Sequence, residues 1–272
     1  QALGAQGADI IFTSGATEAA GLALHGRAFS CADVEHEAVR AWCKTDLSID
    51  KQGQIAVHEP ERSAVQLANS ETGILQTLPK GVAVCDMTQA FGKLPVAFNW
   101  TGAQMGLISA HKIGGPKGIG ALVIKRGTEL AAQIKGGGQE MGRRSGTENL
   151  VGIAGFGAAA EAAIRDVEQG VWAHVEKLRN ILENSIEQIS ASTIFIGKSR
   201  PRLPNTTCMV TQGWKGETQV MQMDLAGLAV SAGSACSSGK VKESRVLRAM
   251  GFGAGSMGSA LRVSLGPETR QK

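Results

Sequence analysis

The stretch Ser109-Ala110-His111-Lys112-Ile113-Gly114-Gly115-Pro116-Lys117-Gly118-Ile119-Gly120 decides how the rest of the chain is read. It places a lysine at the end of an apolar strand (Gly106 to Ile108), follows it with a glycine-rich turn, and leads into a second apolar strand, Gly120 to Ile124. A lysine at such a strand end is expected to be partly desolvated, which lowers its pKa and frees the amine for a Schiff base. An isolated lysine in a glycine-rich turn is more often simply solvated. The companions of Lys112 therefore carry the weight.

Working outward, Val82-Ala83-Val84-Cys85-Asp86-Met87-Thr88-Gln89 puts a carboxylate at another strand end, placed to pair with a protonated ring nitrogen. Phe12-Thr13-Ser14-Gly15-Ala16-Thr17-Glu18 reads as strand, small-residue loop and helix start, whose free N–H groups and hydroxyls suit a phosphate. His36, in Val34-Glu35-His36-Glu37, stands at a further strand-to-helix joint. Each feature alone has a plainer reading as a turn residue, a common joint or a solvated helix cap. Taken together they describe a pyridoxal phosphate site.

The 272 residues are 43% hydrophobic and 19% charged, enough for a substantial core. The net charge of +4 is scattered, without a basic stripe, which argues against a direct nucleic-acid partner. No run of 18 apolar residues survives uninterrupted, and no basic segment followed by an apolar one opens the chain, so neither a membrane span nor secretion is expected. The chain opens at Gln1 in an Ala/Gly segment, from which missing upstream sequence is expected. Five cysteines (Cys31, Cys43, Cys85, Cys208, Cys236) show no C-x-x-C and no zinc-finger spacing. No metal site is expected, and a reducing cytoplasm fits.

Strands are expected at Ile10 to Phe12, Val65 to Ala68, Val82 to Val84, Gly106 to Ile108 and Gly120 to Ile124, with helices Glu18 to Leu24 and Glu37 to Trp42 between them. Leu150 to Val167 is Ala-rich and helix-prone. Val171, Val175, Leu178, Leu182 and Ile189 then recur at helical spacing, which predicts an amphipathic helix over Val171 to Ile189. Strands Thr193 to Ile196, Thr207 to Thr211 and Ala260 to Leu265, with helices near Gln219 to Leu225 and from Glu243, complete a smaller α+β unit. The expected division is 1–165 for a cofactor-binding domain and 166–272 for the smaller one.

With these motifs in order along nearly its whole length, the chain resembles the cysteine desulfurases of the class V aminotransferase group. That resemblance implies an α/β fold of pyridoxal-phosphate fold type I, with a mainly parallel sheet flanked by helices. It implies that Lys112 carries pyridoxal 5'-phosphate, Asp86 pairs with the pyridinium nitrogen, Gln89 bonds the ring hydroxyl and His36 stacks on the ring. Ala16, Thr17, Ser109 and His111 would hold the phosphate. Gly136 to Thr147 resembles the family's dimer-interface loop, from which Thr147 reaches the partner subunit's phosphate, so a homodimer is implied. Cys236, in Ser231-Ala232-Gly233-Ser234-Ala235-Cys236-Ser237-Ser238-Gly239, would be the nucleophile that takes sulfur from L-cysteine and passes it to an acceptor protein such as an iron-sulfur scaffold. Such a small-residue loop suits a carrier thiol, and the other four cysteines read as packing. Arg262 would bind the substrate carboxylate.

Relative to the family the chain is shortened at its N-terminus and internally. Only Ile74 to Gly81 separates Gly73 from Val82, where the family has a helix and a parallel crossover needs a dozen or more residues. The region between Leu24 and His36 is short as well. In Asn69-Ser70-Glu71-Thr72-Gly73, Ser70 stands where the family has Asn before Glu, which leaves Asn69 as the substitute substrate contact. Two further readings stay open at this point. One is a related class V enzyme, a selenocysteine lyase or aminotransferase; the other is a catalytically silent relative that acts as a binding subunit.

Overall fold

The computed structural model describes residues 2–233 and 243–271. The chain divides into two compact units, Gln1–Leu47 with Ala56–Leu67 and Gln76–Gln169, and Ser48–Ile55 with Ala68–Leu75 and Gly170–Lys272. Two short segments of the first half thus count with the second unit, whereas the sequence reading places all of 1–165 together.

The first unit comprises β1 (Ala8–Thr13), α1 (Ala16–Leu24), β2 (Ser30–Ala32), α2 (Glu37–Arg40), β3 (Lys44–Leu47), β4 (Ala64–Gln66), β5 (Val84–Asp86), α3 (Phe98–Thr101), β6 (Met105–Ser109), β7 (Gly120–Lys125) and α4 (Leu150–Glu168). Five strands form one sheet in the order β1-β7-β6-β5-β4. β4, β5 and β6 are parallel neighbours, while β7 runs antiparallel to both β6 and β1, so four of the five strands point the same way. The reversal of β7 follows from its short link to β6, since a parallel partner would need a long crossover. β2 and β3 pair parallel to each other, and a bridge from Ser30 to Ser63 ties β2 to the entrance of β4.

β6 and β7 are apolar and buried almost throughout, as expected for strands covered on both faces. Successive side chains alternate between the faces. Leu107, Leu122 and Ile124 pack with Ala19, Leu22 and Ala23 of α1 on one side. Ile108, Ala121 and Val123 pack with Phe98 of α3 and Phe156 of α4 on the other. Each such aliphatic side chain contributes roughly 1.5–3 kcal/mol when buried. Helices on both sides of a mainly parallel sheet give the α/β layering that positions the site.

Several boundaries differ from the sequence reading: β4 covers Ala64–Gln66 and not Val65 to Ala68, and α2 ends at Arg40 and not Trp42. β5 begins at Val84 rather than Val82, because Ala83 N–H donates to Pro60 O (2.8 Å), in a 3-10 turn (Pro60–Arg62), instead of to a strand partner. The link from β4 to β5 contains no helix. It leaves the first unit over 68–75, counts with the second there, and returns, so two parallel neighbours are joined without a covering helix.

The second unit holds α5 (Val171–Ile189), β8 (Thr193–Phe195), β9 (Thr206–Thr211), α6 (Gly216–Leu225), β10 (Ser231–Ala232), α7 (Arg245–Ala249), α8 (Ala254–Met257) and β11 (Ala260–Ser264). Its sheet is antiparallel, in the order β10-β11-β9-β8. α5 buries Val175 and Leu178, and a small core forms from Phe195, Met209, Ala232 and Leu261 with Ile186 against them. Glu183 of α5 is buried among charges: Arg202 reaches its two oxygens at 2.8 and 3.0 Å, and Thr207 Oγ1 donates at 2.6 Å. Among the described residues no helix is long and apolar enough to cross a membrane, and no metal-ligand cluster forms.

Candidate active site

The parallel strands bring their carboxyl ends to one edge, where doubly wound sheets place their ligands. Thr13 of β1 and Ser109 of β6 both pair with Gly120 of β7, and Asp86 of β5 pairs with Leu107 of β6 and Gln66 of β4. The turns that follow β1, β5 and β6 therefore line the same rim. The segment after β2 joins them: Gln66 N–H donates to Glu35 Oε1 (3.0 Å) and Gln66 Nε2 to Val34 O (3.3 Å), next to His36. The candidate residues of the first unit that follow these strands, namely Ala16, Thr17, His36, Asp86, Gln89, Ser109, His111 and Lys112, all lie on this rim.

The β1–α1 turn is shaped by Gly15, whose φ of 157° and ψ of 177° belong to a region open essentially to glycine. No side chain caps α1 there, which leaves first-turn N–H groups near Ala16 and Thr17 for an anion. The preceding N–H, of Ser14, is taken by Glu18 Oε2 at 2.7 Å. Burial opposes ionisation of Glu18, but the Arg144 guanidinium (2.8 Å) and the Ser14 N–H hold its carboxyl below the usual range. Arg144 thereby docks the segment containing Thr147 onto α1. Arg143 binds Asp9 (3.0 Å), and Ser145 both donates to and accepts from the Gly137 backbone (2.8 and 2.9 Å), so the loop is pinned while Thr147 itself is exposed.

β6 ends in a 3-10 turn, Ala110–Ile113, closed by Gly114 in the left-handed conformation. Ser109 Oγ and His111 Nδ1 lie 2.9 Å apart. Burial, then the charges of Lys112 and Lys117, push the His111 imidazole below its ordinary pKa. Lys112 is exposed, not desolvated as its strand-end position suggests, because the 3-10 turn carries it beyond the sheet. The desolvated lysine is Lys93, 8% exposed, whose Nζ donates to Gln89 O at 2.8 Å. Its burial and the neighbouring charge of Lys112 lower its pKa to about 8. The sequence reading passes over Lys93; its only local signal is a lysine set in the apolar run Ala90-Phe91-Gly92-Lys93-Leu94-Pro95-Val96.

Asp86 is half-buried, and its Oδ1 accepts the Thr88 N–H (2.9 Å), which fixes the turn leading to Gln89. His36 is the N-cap of α2, with Nδ1 accepting the Ala38 N–H at 3.1 Å. That bond leaves Nε2 to carry the proton of a neutral ring and fixes its orientation.

Arg262 and Asn69 belong to the second unit. Arg262, on β11, donates to Ser70 O (2.7 Å) and to Ser231 Oγ (3.3 Å), and its buried Nε has no partner among the described residues. Asn69 Oδ1 accepts from Glu71 N, Thr72 N and Thr72 Oγ1 (2.9, 2.8 and 3.1 Å), so its oxygen is spent on shaping the 69–72 turn. Glu71, also missed in sequence, is buried beside Arg262 and accepts from Ser244 Oγ; burial raises its pKa despite Ser244, Arg262 and Arg245. Cys236 lies outside the described residues. Of the remaining cysteines, Cys31, Cys85 and Cys208 are buried and Cys43 is half-buried.

An uncapped helix start, a lysine on a fixed turn and a half-buried carboxylate on one rim are the donor set that pyridoxal phosphate needs. Comparison with known proteins bears on the same point. The family model described as aminotransferase class-V matches residues 1–272. A cysteine desulfurase of Enterobacter agglomerans is 36% identical over 97% of this chain and 74% of its own length, and one of Nostoc sp. is 34% identical with the same coverage. Among solved structures, the NifS-like protein from Rickettsia africae aligns with a TM-score of 0.87 at 28% identity, over 99% of this chain and 80% of that one. SspA in complex with cysteine aligns with a TM-score of 0.74 at 25% identity, over 95% and 81%. By sequence match along its full length and by fold, the chain belongs to the class V aminotransferase family, in its cysteine desulfurase group.

Proposed function

We propose that this chain is a pyridoxal-phosphate-dependent cysteine desulfurase that converts L-cysteine to L-alanine and hands the sulfur to an acceptor protein. The observation that carries the reading is the rim, where the turns after β1, β5 and β6 bring the α1 N-terminus, Asp86 and the Ser109–Lys112 segment to one sheet edge. The relatives named cysteine desulfurase, and a neighbour whose structure contains cysteine, supply the substrate class.

Pyridoxal phosphate, when bound, supplies the electron sink for the bond changes at the substrate Cα and Cβ. Ala16, Thr17, Ser109 and His111 hold its phosphate, Asp86 keeps its ring nitrogen protonated, and His36 covers the ring. Gln89 bonds its ring hydroxyl, with the backbone of Gln89 held by Lys93. Lys112 would anchor the group, and its Nζ would take the substrate Cα proton. Arg262 receives the substrate carboxylate at its guanidinium. The Cys236 thiolate takes the substrate sulfur to give a persulfide and alanine, so the rate follows the ionised fraction of Cys236. A second protomer brings Thr147 to the phosphate, and a reducing compartment suits the thiol chemistry.

The test is alanine formation from cysteine, with reductant and added pyridoxal phosphate, for the natural sequence beside Cys236→Ser. Turnover lost in the variant supports the reading. Turnover retained there, or absent from both folded proteins, overturns it in favour of another class V reaction or a silent relative.

A further inference from the structure

Glu71 is a buried carboxyl group with no part in the chemistry proposed above. It is 4% exposed, and Ser244, fully buried at the start of α7, donates its hydroxyl to Glu71 Oε1. Ser244 Oγ also accepts the Leu247 N–H at 3.0 Å, so one hydroxyl caps α7 and grips Glu71 at once. Glu71 Oε2 is buried and has no hydrogen-bond partner among the described residues. Burial works against the charge of this carboxyl, while Ser244, Arg262 and Arg245 work for it. Burying such a group is costly, and an apolar side chain would fill the same space at less cost.

Its neighbour in the chain is what Arg262 holds. Arg262 Nη1 donates to Ser70 O at 2.7 Å, and Nη2 donates to Ser231 Oγ at 3.3 Å. A guanidinium carries its N–H donors in one plane, so these two bonds fix that plane and leave donors for a carboxylate. The shorter of the two goes to a backbone carbonyl, whose place is set by the 69–73 turn. Asn69 Oδ1 gathers the turn from within by accepting the Glu71 and Thr72 N–H groups (2.9 and 2.8 Å). At its far end Gly73 O accepts the Leu203 N–H at 2.8 Å. Gly73 has φ +74°, and a Cβ there would lie 3.1 Å from Thr206 Cβ, so the turn sits directly on β9, the strand on which Cys208 pairs with Arg262. The Glu71 side chain ties the middle of the turn to α7. All of these residues belong to the second unit.

We propose that Glu71 is a positioning residue for Arg262: by tying the 69–73 turn to the start of α7 it fixes the Ser70 carbonyl, and so holds the guanidinium in the attitude that receives the substrate carboxylate. The inference rests on the role proposed above for Arg262. Glu71 acts through Ser70, and a carboxylate clamp that tilts loses its paired donors.

The experiment measures KM and kcat for cysteine, together with Tm, for the pyridoxal-phosphate-loaded protein and for Glu71→Ala, Glu71→Gln, Arg262→Ala and the double alanine variant. Glu71→Ala should raise KM about 10-fold with kcat within about 3-fold, and lower Tm by about 3–8 °C because it strands the buried Ser244 hydroxyl. Glu71→Gln keeps an acceptor in the same place and should bring KM back to within about 3-fold of the natural sequence. Glu71→Asp, which draws the carboxyl back by one methylene, should raise KM about 3–5-fold and gives a second reading if the alanine variant does not fold. In the Arg262→Ala background, Glu71→Ala should raise KM by less than about 2-fold more, and the double variant should lose less Tm than the two single losses together. Effects on KM that multiply in full, or losses of Tm that add in full, overturn the proposal. No turnover by the natural sequence, with Tm losses that still fall short of their sum, overturns the desulfurase reading and upholds the link between Glu71 and Arg262.

Discussion

The rim of the first unit and the ionic cluster of the second handle charge in opposite ways. In the buried cluster on α5 the polar groups are spent on one another: Arg202 grips both oxygens of Glu183, Thr207 adds a third bond, and Arg179 donates to Leu203 O at 2.7 Å. Although burial works against it, those partners hold the Glu183 carboxyl below its ordinary range. On the rim, Lys112 stands exposed and the start of α1 is uncapped. Groups whose bonds are complete fix a fold, whereas groups whose bonds are incomplete are available to a ligand.

The sharpest way to break this contrast is to exchange the roles. Lys112→Ala should remove the pyridoxal-phosphate absorbance band and lower turnover by about 10³-fold or more, with Tm of the cofactor-free protein nearly unchanged. A large loss of stability would show that the lysine serves the fold after all. Glu183→Ala, conversely, should cost about 3–5 kcal/mol in denaturant unfolding, because it leaves Arg202 buried and unpaired, and the double change Glu183→Leu with Arg202→Met should cost much less. If the single and double variants unfold alike, the cluster is not a coupled unit.

Smaller effects refine the picture. Lys93 is on the rim's side of the molecule but behaves like a structural charge. With a folded pKa of about 8 against 10.5, the unfolded chain binds more protons between those values, so stability should rise as pH increases from 8 to 10.5. Lys93→Met should flatten that rise and stabilise the protein at pH 7 by about 2–3 kcal/mol. A rise unchanged in the variant would assign it to another group. Arg262→Ala should raise KM for cysteine about 10–100-fold with little change in pyridoxal phosphate affinity. Equal effects on both would remove its assigned role. The exposed pair Arg40–Glu37, at 2.8 Å, should matter least: Glu37→Gln should shift stability by about 0.5 kcal/mol or less.

The two regions also differ in how much of them could be read from sequence. Val171–Ile189 forms a helix at the expected ends because its apolar period is a local property of one face. β5 slips by two residues because a parallel strand is bounded by where its neighbours stand, and Val82-Ala83 are as apolar as the strand itself. Lys112, Asp86 and the β1–α1 turn were legible from residue type at strand ends. Lys93 was not, because its interest lies in burial and in the charge of Lys112, which approach through the fold. Glu71 and Ser244, 173 positions apart, have no local pattern that could announce their bond.

The reversed strand β7 has a consequence for how the chain comes to be folded. Ala8 of β1 finds its partner only in Lys125, so this strand has no place in the five-stranded sheet until the last of the five appears. At synthesis rates of about 5–20 residues per second, that strand waits roughly 6–20 s as an open edge. Contacts of such long range slow the search for the native arrangement. The nascent protein therefore passes its most aggregation-prone interval with an apolar strand unpaired, and its yield in cells depends on what shields Ile10, Ile11 and Phe12 until β7 emerges.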